Sequence, residues 1–153
     1  TDCNHIKKYE NIAVLTRDYV RLAFDSRCWN EELRKHVDSA IKDIRKSINE
    51  VNKVGGKMRI LVIPAAWAFE GEGVDGKTSD KYKMGESATI TSEPLLEYIK
   101  MKLSDTQVEV VSVEKLIKNF KKQTNKNFYF PTDGHWNKNA HKMLGTWLAE
   151  TFY

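Results

Sequence analysis

The chain has 153 residues, of which 41% are apolar and 30% charged, with a net charge of +4. That length suits a single domain over 1–153, and no low-hydropathy stretch is long enough to stand as an independent disordered region. No run of about 18 apolar residues occurs, which excludes a membrane-inserting helix in this segment.

At the N-terminal side, Ile6, Tyr9, Ile12, Ala13, Tyr19, Val20 and Ala23 recur at mixed helical spacings and predict a helix over 4–24, broken at Asp25-Ser26-Arg27. The clearest period comes next. Trp29, Leu33, Val37, Ala40, Ile41, Ile44, Ile48 and Val51 form one apolar stripe, as in a long amphipathic helix packed on a core. Asn30 is placed to cap its start, with Glu31 and Glu32 in the first turn, and Gly55-Gly56 supplies the left-handed residue that ends such helices. Met58-Arg59-Ile60-Leu61-Val62-Ile63-Pro64 then lacks alternation and predicts a strand covered on both faces, as in a parallel sheet.

Residues 65–90 carry four glycines and no period, which predicts a long loop and a candidate lid. A second helix-strand unit follows. Thr91 or Ser92 caps it, Pro94 lies in the first turn, and Leu95, Leu96, Ile99 and Leu103 form the buried face before the strand Val108-Glu109-Val110-Val111. A short helix over 113–120 and a final helix over 138–152, capped by Asn137 and facing inward through Ala140, Met143, Leu144, Trp147 and Leu148, complete the order. The alternation predicts an α/β fold with a doubly wound parallel sheet.

The lysines at 115, 118, 121, 122 and 126 are the one local excess of charge. They read as a solvated helix end complementing the helix dipole, so no nucleic-acid partner is expected. Cys3 and Cys28 lack the spacing of a thiolate metal site. One disulfide and two free thiols are equally consistent with them. The compartment is open, with a lean toward an extracytoplasmic one.

The informative motif is Pro131-Thr132-Asp133-Gly134-His135-Trp136-Asn137. Residues two apart on an extended or turning backbone project to the same side, so the Asp133 carboxylate can fix the His135 imidazole. The other ring nitrogen is then left to take a proton from a hydroxyl nucleophile. A histidine titrates near neutrality, which suits it to giving and taking a proton in one cycle. Asp and Gly before a helix are also ordinary turn formers, and the stretch alone needs no function.

This block, with Phe130 before it and Ala140-His141 and an amphipathic helix after it, resembles the C-terminal block of the SGNH (GDSL-like) hydrolase superfamily, including its carbohydrate O-acetyltransferase relatives. The resemblance implies a three-layer, doubly wound α/β sheet, incomplete here at its N-terminal side. It implies a serine-type ester hydrolase or O-acyl transferase acting on a small-molecule or carbohydrate ester, with Asp133 orienting, His135 as general base and no cofactor. The family's nucleophile is a serine in a Gly-Asp-Ser-like turn after the first strand. Here Asp25-Ser26 lacks the strand and glycine, and Gly85-Glu86-Ser87 has similar letters but lies in the long loop. Ser87 is the candidate within the chain. An upstream segment or a second chain is the other source, and the opening Thr1 favours sequence removed before it.

Trp67, Phe69 and Glu70 directly follow the first strand, and Trp136 adjoins the base, so all four are candidate substrate contacts; Trp67 and Phe69 could equally anchor the loop to the core, and Trp136 could pack under the motif. His135, His141 and Asp133 could instead be metal ligands, but the two histidines lack the i, i+4 spacing of a helical pair, and no metal site is expected. A non-catalytic carbohydrate- or protein-binding domain of the same fold is the alternative function.

Overall fold

The computed structural model describes residues 26, 29–64, 66, 69, 91–130 and 135–152. In chain order these form α1 (Glu31–Lys53), β1 (Arg59–Val62), α2 (Glu93–Lys102), β2 (Glu109–Ser112), α3 (Val113–Thr124) and α4 (Lys138–Phe152). The chain falls into two compact units, Thr1–Val62 with Thr91–Ser112, and Ile63–Ile90 with Val113–Tyr153. The expected helix over 4–24, both cysteines and nearly all of the loop over 65–90 lie outside the described residues.

In the first unit α1 has the ends its sequence marks. Asn30 sits in the extended region and its side chain accepts from the Leu33 amide at 2.8 Å, with Glu31 and Glu32 in the first turn. At the other end Gly55 takes φ 72° and its amide bonds the Asn52 carbonyl at 3.0 Å, while the Gly56 amide bonds the Val51 carbonyl at 3.0 Å. The two glycines are needed for different reasons. Gly55 supplies a left-handed backbone, whereas a Cβ on Gly56 would stand 2.8 Å from Val51 Cγ1. The buried stripe runs through Ile41 and Ile48, with Leu33, Val37 and Ile44 packed beside them; Ala40 is exposed, one residue off the stripe's centre.

β1 and β2 pair in parallel, in the register Arg59 to Glu109, Ile60 to Val110, Leu61 to Val111 and Val62 to Ser112. α2 lies between them in sequence and packs on β2, which makes a strand-helix-strand crossover. The fold is thus mixed α/β, with four helices and a small two-stranded parallel sheet among the described residues. The strands are less covered than expected: Val62 is buried, while Ile60, Leu61, Val110 and Val111 are half-buried. With one strand partner each among the described residues, they keep more surface open than the centre of a wide sheet. Arg59 and Glu109, the first register pair, join at 2.9 Å.

The first unit's core joins Trp29, Ile41, Ile48, Val62, Leu96, Tyr98, Ile99 and Leu103. Thr91, not Ser92, supplies the capping oxygen of α2, accepting from the Glu93 amide at 3.2 Å. α1 and α2 are clasped by polar contacts over this core. Tyr98 donates its hydroxyl to Asp38 Oδ1 at 2.6 Å and Lys102 Nζ reaches the same oxygen at 3.1 Å. Arg45 forks onto both oxygens of Asp105 at 2.9 and 2.7 Å and also donates to the Lys102 carbonyl. Trp29 meets Tyr98 edge to face at 4.8 Å, with the Arg34 guanidinium over both rings.

In the second unit α3 extends to Thr124, four residues past the expected end. Lys121 and Lys122 are good helix formers that suit the negative end of the dipole, and Asn125, at φ 49°, provides the stop. Val113, Glu114 and Ile117 of α3 are buried, the Glu114 carboxylate bonding Lys118 Nζ at 2.5 Å one turn on. Ala140 and Met143 are the buried residues of α4, which has the expected bounds. Among the described residues no helix is long and apolar enough to cross a membrane.

Candidate functional site

The residues around the motif form two short antiparallel arms, 128–130 and 135–137. The Phe130 amide bonds the His135 carbonyl at 2.9 Å, the Asn137 amide bonds the Phe128 carbonyl at 2.9 Å, and Tyr129 faces Trp136 between them. These two bonds flank the Tyr129–Trp136 pair on either side, which makes it a non-hydrogen-bonded pair, the kind whose side chains stand closest together. Alternation then sorts the arms. Tyr129 and Trp136 share one face, and Phe130 and His135 share the other. Next to the turn burial follows the same division, with Tyr129 2% exposed, Phe130 47% exposed and His135 exposed, while Phe128 at the start of the arm is buried as well.

The inward face is an aromatic stack. Tyr129 lies against Phe69, nearly parallel at 5.9 Å, and meets Trp136 edge to face at 6.4 Å; Trp136 in turn meets His141 at 5.9 Å. The buried Tyr129 hydroxyl donates to the Pro64 carbonyl at 2.7 Å. Pro64 belongs to the segment Ile63–Ile90, so the arm that leads into the motif is fastened to the other stretch of chain in the second unit. Trp136 Nε1 is buried without a hydrogen-bond partner among the described residues.

Asn137 ties the arms to α4. Its Oδ1 accepts from the amides of Asn139 at 2.8 Å and Ala140 at 3.4 Å, the cap expected of it. Its Nδ2 donates to the carbonyls of Asn127 at 3.0 Å and Tyr129 at 3.1 Å, both on the incoming side. The amide orientation is determined by these partners, since a flipped amide would set donor against donor at the helix end and acceptor against acceptor at the carbonyl end.

Of the expected site residues, His135 and Trp136 are brought into this element, His135 on the open face and Trp136 half-buried on the packed one. Asp133, Ser87, Trp67 and Glu70 lie outside the described residues. Ser26, the other serine considered, gives its hydroxyl to the Pro94 carbonyl at 3.0 Å in the first unit. The sequence places Tyr129 and Phe130 just before the motif but gives neither a role in the site. The available signal was a run of aromatics on one side of the turn-forming Pro131-Thr132-Asp133-Gly134 stretch and Trp136 on the other, the flanks of a paired turn.

The first unit has an open groove of about 780 Å³, lined by Asn49, Asn52, Lys57, Gln107 and the paired Arg59 and Glu109 among others. It lies at the amino ends of β1 and β2, whereas open α/β sheets bind ligands beyond the carboxyl ends of their strands. Among the described residues no group of three or more His, Cys, Asp or Glu could hold a metal ion. Compared with protein-family models, curated proteins and solved structures, the chain matches none.

Proposed function

We propose that this chain carries the acid-base half of a serine-type ester hydrolase or O-acyl transferase of SGNH kind, built on a three-layer doubly wound α/β sheet. In that chemistry a serine hydroxyl attacks the ester carbonyl and passes its proton to His135. His135 returns the proton to the departing alcohol. The acyl-enzyme is then cleaved by water in a hydrolase, or by an acceptor hydroxyl in a transferase. Asp133 orients the imidazole and stabilises its charged form. Ser87, or a serine from an upstream segment or second chain, is the nucleophile, and an acetylated carbohydrate is the substrate class that the resemblance implies.

The supporting observation is the placement of His135. Its ring is exposed while its backbone is held, by the Phe130 amide on one side and by Asn137 at the start of α4 on the other. A general base needs this combination of access and fixed position.

In the full-length protein, His135→Ala is expected to lower kcat/KM for p-nitrophenyl acetate by about 10²- to 10⁴-fold without lowering the melting temperature. Asp133→Asn should also impair turnover strongly. Turnover that survives His135→Ala rejects the assignment. The exposed Phe130 beside His135 favours a second reading, a binding surface without catalysis. That reading predicts no labelling of the full-length protein by a serine-reactive phosphonate.

A further inference from the structure

We infer that Asn137 is a positioning residue for His135, acting through its two amide donors as well as through its capping oxygen. A helix cap uses only the oxygen, and aspartate or serine would serve the Asn139 and Ala140 amides equally well. Asn137 also holds the carbonyls of Asn127 and Tyr129, which no aspartate could do. Those carbonyls lie in, and just before, the arm that pairs with His135: Tyr129 is followed by Phe130, whose amide bonds the His135 carbonyl. The side chain thus clamps the incoming arm to the first turn of α4, with His135 two residues before it. Asn139 Nδ2 reaches the same Asn127 carbonyl at 3.0 Å, which strengthens the clamp from the helix side. With the donors removed, the incoming arm keeps the Asn137 amide on the Phe128 carbonyl and Asn139 on the Asn127 carbonyl but loses its two ties to the Asn137 side chain, so it can shift against the helix and the imidazole shifts with its paired backbone. The catalytic meaning of the clamp rests on His135 being the general base; its structural meaning does not.

Asn137→Asp separates the two roles, since aspartate keeps the cap and loses both donors. Two amides report on them. His141 bonds the Asn137 carbonyl at 3.2 Å in the first turn of α4, and Phe130 bonds His135. In Asn137→Asp, hydrogen exchange at the His141 amide should stay as in the parent, while the Phe130 amide should exchange at least about tenfold faster. With p-nitrophenyl acetate and the full-length protein, kcat should fall about 10- to 100-fold at nearly unchanged KM, the size of effect expected from a base displaced by about an ångström. Asn137→Ala, which loses cap and clamp together, should lose protection at both amides. Unchanged protection of Phe130 in Asn137→Asp overturns the clamp whatever the activity. Lost protection with parental kcat, in a protein whose turnover requires His135, overturns the positioning role. Turnover indifferent to His135→Ala condemns the acid-base reading instead, and the Phe130 amide still decides the clamp.

Discussion

Tyr129 joins three pieces of the second unit through one side chain: the ring lies on Phe69 and against Trp136, and the hydroxyl bonds the Pro64 carbonyl. Tyr129→Phe would keep both ring contacts and remove only the donor to a buried carbonyl. An unsatisfied buried polar group costs about 1 to 3 kcal/mol, so urea unfolding of Tyr129→Phe should show a loss of that order with the m-value unchanged. Parental stability would mean that the bond contributes nothing net. The importance of Tyr129 was not legible in the sequence, because Phe128, Tyr129 and Phe130 look alike as an aromatic run. Phe128 and Tyr129 are both buried and Phe130 is exposed, and it is the pairing of Tyr129 with Trp136, which local spacing does not encode, that brings Tyr129 against the aromatic stack. The capping oxygen of Asn137 was legible because its partners are two and three residues ahead, whereas the carbonyls its donors hold lie eight and ten residues back.

At the scale of elements, local signals worked wherever an end is determined locally. α1 begins after Asn30 and stops before Gly55, and α4 follows Asn137, because caps and left-handed stops involve neighbours within a turn. α3 runs past its expected end at Phe120 because lysines propagate a helix well beyond its last apolar residue, and Asn125 makes the stop. One chemical change at two glycines tests this contrast. Gly55→Ala places a Cβ on a backbone at φ 72° and should destabilise by about 1 to 2 kcal/mol, although nothing lies within 4 Å of that Cβ. Gly145→Ala, at an equally open place inside α4, should instead stabilise by about 1 kcal/mol, since alanine restricts the unfolded chain and favours the helix. Thermal unfolding of the two variants should therefore move in opposite directions. A shift of the same sign in both would mean that the left-handed stop at Gly55 or the helix interior at Gly145 does not govern the effect of the added methyl group.

Across the whole molecule, the order of helices and strands carried the α/β class into the sequence, since helical and strand periods differ within a few residues. The division into two compact units was not legible, because it depends on which distant segments meet. Dependence of stability on pH is likewise a property of the assembled chain. The Tyr98 hydroxyl, and after it the Lys102 ammonium, hold the Asp38 carboxyl below its ordinary range against the opposing effect of burial. Arg45 lowers Asp105 in the same way. In both cases the folded form binds its proton less readily than the unfolded chain. Their stabilisation is therefore fully present above the ordinary carboxylate range, and it is lost as pH falls through the lowered folded values. Melting temperature should accordingly be flat in these groups' contribution near neutrality and decline below about pH 4. Asp38→Ala is the decisive comparison. It removes the oxygen that receives both Tyr98 and Lys102, so the variant should melt below the parent at pH 7. As the parent's own carboxylate is protonated, its advantage should shrink toward what a neutral carboxyl accepting from Tyr98 retains. A gap that stays constant from pH 7 to pH 3 would show that Asp38 stabilises by packing alone, and that its charge contributes nothing to the clasp between α1 and α2.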